Sequence, residues 1–256
     1  MNPKRRPIIA GNWKMNKTST EARDLAGKLI PLVSGVYDRD IVLAPPFTSI
    51  PAVAEIVKGT NMALSAQDLF WEEKGAFTGE ISAEMLLDLG CKYVIIGHSE
   101  RRQFFGETDE TVNKKVRQAL NKGLFPIVCV GELLKEREAG RVNVVIERQL
   151  IGALKAVSVP EMQNMVIAYE PVWAIGTGQN ATPKQINQVH SRIRTCIKEW
   201  FGPAAGKQLR ILYGGSVKPE NVADLVIIEE INGLLVGGAS LKSETFLPII
   251  RAFSQK

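Results

Sequence analysis

The sequence predicts an α/β fold, a closed (β/α)8 barrel that forms a single domain over residues 1–256. Three observations lead to this prediction. Short apolar runs rich in branched residues recur eight times, helical patterns separate them, and no stretch rich in Pro, Gly or Ser divides the chain. A chain of 256 residues is long for one core unless the architecture repeats, and single barrels of roughly 250 residues are the familiar exception.

The apolar runs are the predicted strands. None alternates cleanly between apolar and polar residues, which indicates burial on both faces, as in a parallel sheet. The runs cover residues 7–11, 41–45, 62–67, 93–97, 125–131, 165–169, 210–215 and 233–238. Closure into a barrel is favoured over an open doubly wound sheet because it leaves no strand edge unpaired.

The clearest predicted helix covers residues 182–200. Thr182, Pro183 and Gln185 supply an N-cap, a first-turn proline and the third residue of a capping box. Apolar residues then recur at spacings of three and four, which predicts one stripe packed against the sheet. The stripe consists of Ile186, Val189, Ile193, Ile197 and Trp200.

Two further helices are indicated by the same kind of signal. Thr18 with Glu21 forms a capping box after the first strand. A third helix has a glycine stop at Gly123. Its apolar residues are Val112, Val116, Ala119 and Leu120.

Composition limits the class of partner. The net charge of +5 is modest and Lys and Arg are scattered among Asp and Glu, so a nucleic-acid surface is disfavoured and a small anion is favoured. The chain has no signal-peptide pattern and no apolar run of about eighteen residues, so we expect a soluble cytoplasmic protein without membrane contact. The three cysteines, Cys91, Cys129 and Cys196, are far apart in apolar surroundings and are predicted to be reduced core residues. A further role for Cys129, at a strand end, stays open.

Polar and small residues lie just beyond the carboxyl ends of the predicted strands. A barrel gathers these ends on one rim, where enzymes of this fold build their active sites. The residues are Asn12, Lys14, Gln67, His98, Glu132, Glu170, Ser216, Gly237 and Gly238.

The segment 165–178 is the most informative of these. A buried strand ends on Glu170 and runs at once into an apolar loop that ends in glycines. A carboxylate between a rigid strand and a loop that closes over it can lose water, which raises its basicity and suits it to abstract a proton. The alternative is a solvated glutamate before an ordinary surface turn, and this segment alone leaves that open.

The chain resembles the triosephosphate isomerase family along essentially its whole length. Five segments carry the resemblance: NWKMN at 12–16, GHSERR at 97–102, YEPVWAIGTG at 169–178, YGGSV at 213–217 and GGASL at 237–241. The resemblance implies a TIM barrel that interconverts glycerone phosphate and D-glyceraldehyde 3-phosphate through an enediolate, in glycolysis and gluconeogenesis. It implies neither a cofactor nor a metal.

The resemblance also implies the catalytic residues. Glu170 removes the proton from carbon, and His98 polarises the carbonyl and moves protons between the two oxygens, a role that suits a neutral imidazole. Asn12 and Lys14 bind substrate, and Lys14 offsets the negative charge of phosphate and enediolate. We expect their side chains to point into one cavity if the backbone between them is extended. Glu100 is a supporting residue of this site.

Glycines and a serine match the phosphate cradle of the family, namely Gly176, Ser216, Gly237 and Gly238, together with Asn12 and Lys14. Single glycine pairs could equally form tight turns. The lid and its supports match Pro171, Val172, Trp173, Ala174, Ile175, Thr177, Gly178, Tyr213 and Leu235. Ile175 and Leu235 are implied to hold Glu170 in an apolar setting, although core packing is a rival explanation for Leu235. Tyr213 is implied to latch the lid near Ala181.

The family forms dimers through the loop after the third strand, here residues 68–82, and a tetramer of such dimers is the alternative. The implied interface residues are Gln67, Phe77 and Thr78, with Thr78 directed at the Asn12 and Lys14 region of the partner. Phe70, Trp71 and Phe77 are expected to be exposed in the monomer. Asp68 stands where the family usually has asparagine, which adds a possible charge near the interface.

Other activities fit the sequence less well. The GxGxxA pattern at 176–181 hints at a dinucleotide site, but no second strand ends in an acid about twenty residues on. The HxE pair at 98–100 lacks the PCxxC of a zinc deaminase. Lys14 could form a Schiff base as in a barrel aldolase, although a cationic role suits it better. A noncatalytic barrel that binds sugar phosphates is the remaining alternative.

Overall fold

The computed structural model describes residues 5–176 and 179–253, and its centre is a closed barrel of eight parallel strands in sequence order. The strands are β1 Ile8–Asn12, β2 Asp40–Ala44, β3 Met62–Ala66, β4 Cys91–Ile96, β5 Phe125–Val130, β6 Val166–Tyr169, β7 Arg210–Tyr213 and β8 Gly233–Val236. All eight predicted strands are confirmed, with ends that differ by two residues or fewer.

The barrel closes where β1 pairs with β8, from Ile8 opposite Gly233 to Gly11 opposite Val236. Gly233 has a φ of +141°, and a Cβ added there would lie 2.0 Å from the Ile8 carbonyl oxygen. No other residue could take this backbone position without displacing β1, so glycine at 233 is a condition of closure.

Helices follow the strands and cover the outside of the barrel. They are α1 Ser19–Val33, α2 Ile50–Val57, α3 Ala83–Asp88, α4 Ser99–Phe104, α5 Asp109–Lys122, α6 Leu134–Glu138, α7 Val142–Ala153, α8 Pro183–Phe201, α9 Pro203–Gln208, α10 Val222–Val226 and α11 Ser243–Ala252. Short 3-10 turns occupy Phe47–Ser49, Glu161–Asn164, Val172–Ala174 and Gly238–Leu241. No helix in these described ranges is both long enough and apolar enough to cross a lipid bilayer.

The predicted helix ends are confirmed. Thr182 caps α8 with a complete capping box, and Thr18 does the same for α1. Gly123 ends α5 in the left-handed conformation. The predicted stripe on α8 is buried except at its last member, because Trp200, in the last turn of the helix, remains 39% exposed.

The core has two layers, one inside the barrel and one between strands and helices. Along β1, Ile8 and Ala10 face the interior, whereas Ile9 packs outward against the helices. This double burial explains why the strands show no alternation of apolar and polar residues. The three cysteines are free and buried, as predicted, and burial raises the pKa of Cys91 to about 12.

Candidate active site

A cavity of about 850 Å³ opens at the carboxyl ends of the strands. It brings together most of the rim residues that the sequence indicated, namely Asn12, Lys14, His98, Glu170, Ser216, Gly237 and Gly238. Gln67 and Glu132 do not line it. Gln67 instead hydrogen-bonds to the backbone of the loop after β1. Glu132 hydrogen-bonds to the segment after β6.

The turn from Asn12 to Lys14 differs from the extended backbone that we expected. Lys14 has a φ of +52°, a left-handed conformation that is uncommon outside glycine. The side chain of Asn12 accepts a hydrogen bond from the Lys14 amide at 3.0 Å, and Gln67 donates to the Lys14 carbonyl at 2.9 Å. Both side chains still reach the cavity, where Lys14 Nζ lies 2.6 Å from Glu100 Oε1.

His98 and Glu170 meet at the cavity wall. Nε2 of His98 lies 2.9 Å from Oε1 of Glu170, and the amide of Ser99 donates to Oε2 of Glu170 at 3.0 Å. The amide of Glu100 donates to Nδ1 of His98 at 3.2 Å. An Nδ1 that accepts this bond carries no proton, which fixes the proton of a neutral imidazole on Nε2, directed at Glu170.

Burial and neighbouring charges compete over the protonation of this pair. Burial alone would raise the pKa of Glu170, but His98, the Ser99 amide and Lys14 outweigh it and lower that pKa. Burial alone would lower the pKa of His98, but Glu170 and Glu100 outweigh it and raise that pKa. The amide on Nδ1 opposes this increase, and the increase depends on the carboxylate of Glu170 staying beside the ring.

The surroundings of Glu170 include groups that the sequence did not reveal. The buried Cys129 thiol hydrogen-bonds to Glu170, and burial raises the pKa of this thiol well above its usual value. A Cβ added to Gly131 would lie 1.7 Å from the Glu170 carbonyl oxygen, and one added to Gly214 would lie 3.0 Å from its Cγ. Only the position of Cys129 at a strand end hinted at this packing.

The predicted lid is the segment 171–178 after β6, of which Thr177 and Gly178 lie outside the described residues. Its beginning is fixed by the fully buried Glu132, whose Oε1 accepts bonds from Trp173 at 2.7 Å and Tyr169 at 3.1 Å. Pro171 and Ala174 are buried, and Val172 is half-buried. The lid therefore has a firmly held first turn.

Two other contacts were predicted for the lid. Ile175 and Leu235 both line the cavity beside Glu170. Tyr213 hydrogen-bonds to the backbone of Ala181, just after the lid, and burial raises the pKa of Tyr213 to about 12. Tyr213 therefore joins the end of β7 to the chain that leaves the lid.

Small residues with accessible backbone form another part of the cavity lining. Gly176, Ser216, Gly237 and Gly238 line it, and a 3-10 turn begins at Gly238. Backbone amides at the start of such a turn suit a phosphate group. In the described part of the chain, no three His, Cys, Asp or Glu side chains are grouped so that they could hold a metal ion.

Two aromatic residues of the loop 68–82, Phe70 and Trp71, are less exposed than we predicted. Phe70 packs against Trp71 and Phe77 in tilted contacts, with ring centroids 4.1 Å and 4.7 Å away. Phe70 and Trp71 are half-buried, and Phe77 is 43% exposed. Asp68 does not face the surface at all, because its side chain turns inward to Lys115.

Comparisons with known proteins agree with this geometry. The family model described as triosephosphate isomerase matches residues 7–253. Triosephosphate isomerase of Geotalea uraniireducens (strain Rf4) is 54% identical over 247 residues, which cover 96% of this chain and 98% of that protein. Triosephosphate isomerase of Citrifermentans bemidjiense is 56% identical over the same shares. The crystal structure of triosephosphate isomerase from Bartonella henselae superposes with a TM-score of 0.88 at 40% identity, covering 96% of this chain and 98% of that one.

The protein is thus a (β/α)8-barrel enzyme, and it belongs to the triosephosphate isomerase family. Its reaction is the interconversion of glycerone phosphate and D-glyceraldehyde 3-phosphate, a step of glycolysis.

Proposed function

We propose that Glu170 is the base that moves the proton between the two substrate carbons and that His98 is the electrophile opposite it. The observation that supports this assignment most strongly is their contact of 2.9 Å at a single cavity, with Glu170 only 2% exposed. Nε2 of His98 carries the proton that a substrate carbonyl needs, because Nδ1 is occupied by the Glu100 amide. Asn12 and Lys14 bind the substrate beside this pair.

Movement of Glu170 switches on its basicity. At rest, His98, the Ser99 amide and Lys14 lower its pKa, which makes it a weak base. When the carboxylate turns to a bound substrate it leaves His98 and the Ser99 amide, and its burial, then opposed only by the charge of Lys14, raises its pKa. The same movement removes from His98 the charge that raises its pKa, so the ring stays neutral while it donates.

The lid protects the intermediate. An enediolate exposed to water can expel its phosphate before it is reprotonated, so the chemistry requires closure of 171–178 over the substrate. Ile175 and Leu235 cover Glu170, and Tyr213 holds the chain that leaves the lid. Gly176, Ser216, Gly237 and Gly238 hold the phosphate through their backbone amides, with Lys14 as the cation.

The assignment is tested by hydrogen exchange at the substrate carbons. In D2O the native enzyme transfers deuterium from solvent to the carbon that is reprotonated, and NMR of the triose phosphates measures it. Glu170→Gln should abolish both exchange and isomerisation. The exposed Glu138 on α6 offers a matched control, and Glu138→Gln should leave both rates unchanged. Normal exchange by Glu170→Gln would assign the base to another residue.

We further propose that the enzyme is a cytoplasmic homodimer, or a tetramer built from such dimers. Met15 is 95% exposed beside the cavity, and Phe77 is 43% exposed at the tip of the loop 68–82. A second copy that covers both would bury this apolar surface and bring Thr78 to the partner's Asn12 and Lys14 region.

A further inference from the structure

Four charged side chains, three of them buried and Arg101 partly exposed, form a cluster next to the loop that follows β3. Oδ1 of Asp68 lies 2.7 Å from Nζ of Lys115, and Oδ2 of Asp68 lies 2.8 Å from Nε of Arg101. Oε1 of Glu107 contacts the same two cations. It lies 2.5 Å from Nε of Arg101 and forms an ion pair with Nζ of Lys115. The side chains of Asp68, Glu107 and Lys115 are 5% exposed or less.

The two carboxylates therefore compete for the same donors. Lys115 and Arg101 serve three of the four carboxylate oxygens, and the fourth, Oε2 of Glu107, is buried without a hydrogen bond among the described residues. A buried carboxylate oxygen without a donor is costly. A proton shared by Asp68 and Glu107 would remove one of the two neighbouring negative charges. It would also add a hydrogen-bond donor to a cluster in which Oε2 of Glu107 accepts no hydrogen bond among the described residues.

The charges around Asp68 come from each element packed against it. They are Arg101 on α4, Glu107 in the loop between α4 and α5, and Lys115 on α5; Glu80, in the same loop as Asp68, acts on Arg101. Burial has the largest effect on the pKa of Asp68 and the charge of Glu107 the second largest. Together they raise this pKa to about 6, although Lys115 and Arg101 oppose the increase. Burial also opposes ionisation of Glu107, but Lys115 and Arg101 outweigh it and lower the pKa of Glu107.

We propose that Asp68 and Glu107 together bind one proton in mild acid and that this proton stabilises the folded chain. The proton adds to a carboxylate oxygen of the pair and leaves one negative charge facing Lys115 and Arg101. Unfolding exposes Asp68 to water, where it releases the proton. The folded state thus binds more protons than the unfolded state between about pH 4 and 6, and this pair makes stability rise as the pH falls through that range.

The effect is opposite to that of an ordinary ion-paired carboxylate, which loses its stabilising contribution on acidification. The cluster joins the loop 68–82 to α4, whose first turn carries Ser99 and Glu100 beside the catalytic pair. It therefore acts as an acid-strengthened connection between that loop and the catalytic turn.

The direct test is the titration of Asp68 in the intact enzyme labelled with [13C]aspartate. The carboxyl resonance that is missing from Asp68→Asn identifies Asp68, and asparagine is expected to fold because the family usually has it there. We expect a midpoint near pH 6. A midpoint at or below about pH 4, the range of an ordinary aspartate, would overturn the proposal.

Urea unfolding supplies the second readout. Between about pH 7.5 and pH 5, the unfolding constant of the native enzyme should fall about tenfold relative to that of Asp68→Asn at the same protein concentration. Asp24→Asn makes the same change on the exposed face of α1. The ratio of its unfolding constant to that of the native enzyme should not change with pH. Glu107→Gln should move the Asp68 midpoint towards lower pH. A ratio for Asp68→Asn that is independent of pH would contradict the proposal.

Discussion

Nε2 of His98 lies 2.9 Å from Oε1 of Glu170, and 5% or less of either residue is exposed. Each group sets the charge state of the other in the absence of substrate, because the carboxylate raises the pKa of the imidazole and the imidazole helps to lower the pKa of the carboxylate. We propose that a bound substrate breaks this contact. On this proposal, Glu170 is a weak base when the cavity is empty and a stronger base when substrate fills it.

Removal of the Tyr213 hydroxyl should weaken lid closure. Tyr213→Phe keeps the packed ring but loses the bond to the Ala181 backbone, a bond of the kind that contributes roughly 0.5 to 1.5 kcal/mol. We expect kcat/KM to fall up to about tenfold and a larger share of turnovers to release inorganic phosphate. Phosphate release measured beside isomerisation checks this, with Tyr37→Phe, 69% exposed, as the control. Unchanged partitioning would remove Tyr213 from lid closure.

Gly131 should tolerate no side chain. Its added Cβ would lie 1.7 Å from the carbonyl oxygen of Glu170, so Gly131→Ala must displace the backbone that carries the proposed base. We expect a loss of at least about tenfold in kcat together with a lower melting temperature. In Gly27→Ala, on α1, the new Cβ meets nothing within 4 Å, and this variant should be as stable as the native enzyme or slightly more so. Full activity of Gly131→Ala would show that β5 and β6 can separate freely.

His190 should destabilise the fold in acid. It is completely buried, and burial lowers its pKa to about 4, below its value of about 6.5 in the unfolded chain. The unfolded state therefore binds a proton first, and stability falls as the pH drops from about 6.5 to 4, by about 3 kcal/mol at the lower limit. Urea unfolding should show that the stability of His190→Gln does not fall by this amount over the same pH range. An equal pH dependence in both proteins would place the acid sensitivity elsewhere.

Phe77 should matter for self-association. Phe77→Glu puts a charge on the tip of the loop 68–82, and we expect the dimer dissociation constant to rise at least about tenfold, as measured by sedimentation equilibrium. Ile227, 72% exposed after α10, offers the control Ile227→Glu, which should leave association unchanged. A native enzyme that sediments as a monomer would reject the proposed interface altogether.

The strand order and most of the rim could be predicted because they follow from local pattern. Strands buried on both faces must be continuous apolar runs, so β1 to β8 were visible, and functional residues after such strands converge on one rim. The pattern cannot tell where a side chain turns after the strand ends. Glu132 follows β5 as Glu170 follows β6, yet Glu132 lies under the lid and Glu170 lies at the cavity.

Other features depend on contacts between distant segments. The left-handed backbone of Lys14 is held by Asn12 and also by Gln67, which belongs to another strand's loop, and the segment NWKMN alone does not indicate the contact with Gln67. Asp68 was visible as a departure from the family, but its inward turn depends on Lys115 and Arg101. Trp200 fits the spacing of the buried stripe on α8, but it lies in the last turn of the helix and remains partly exposed. Such placements require the tertiary structure.

The replacement Glu170→Asp tests the central claim most directly. Aspartate keeps the charge but retracts the carboxylate by one methylene, and general-base catalysis depends on hydrogen-bond reach. We predict that kcat for glyceraldehyde 3-phosphate falls at least about tenfold while the melting temperature stays close to that of the native enzyme. A kcat that hardly changes would show that Glu170 is not the base.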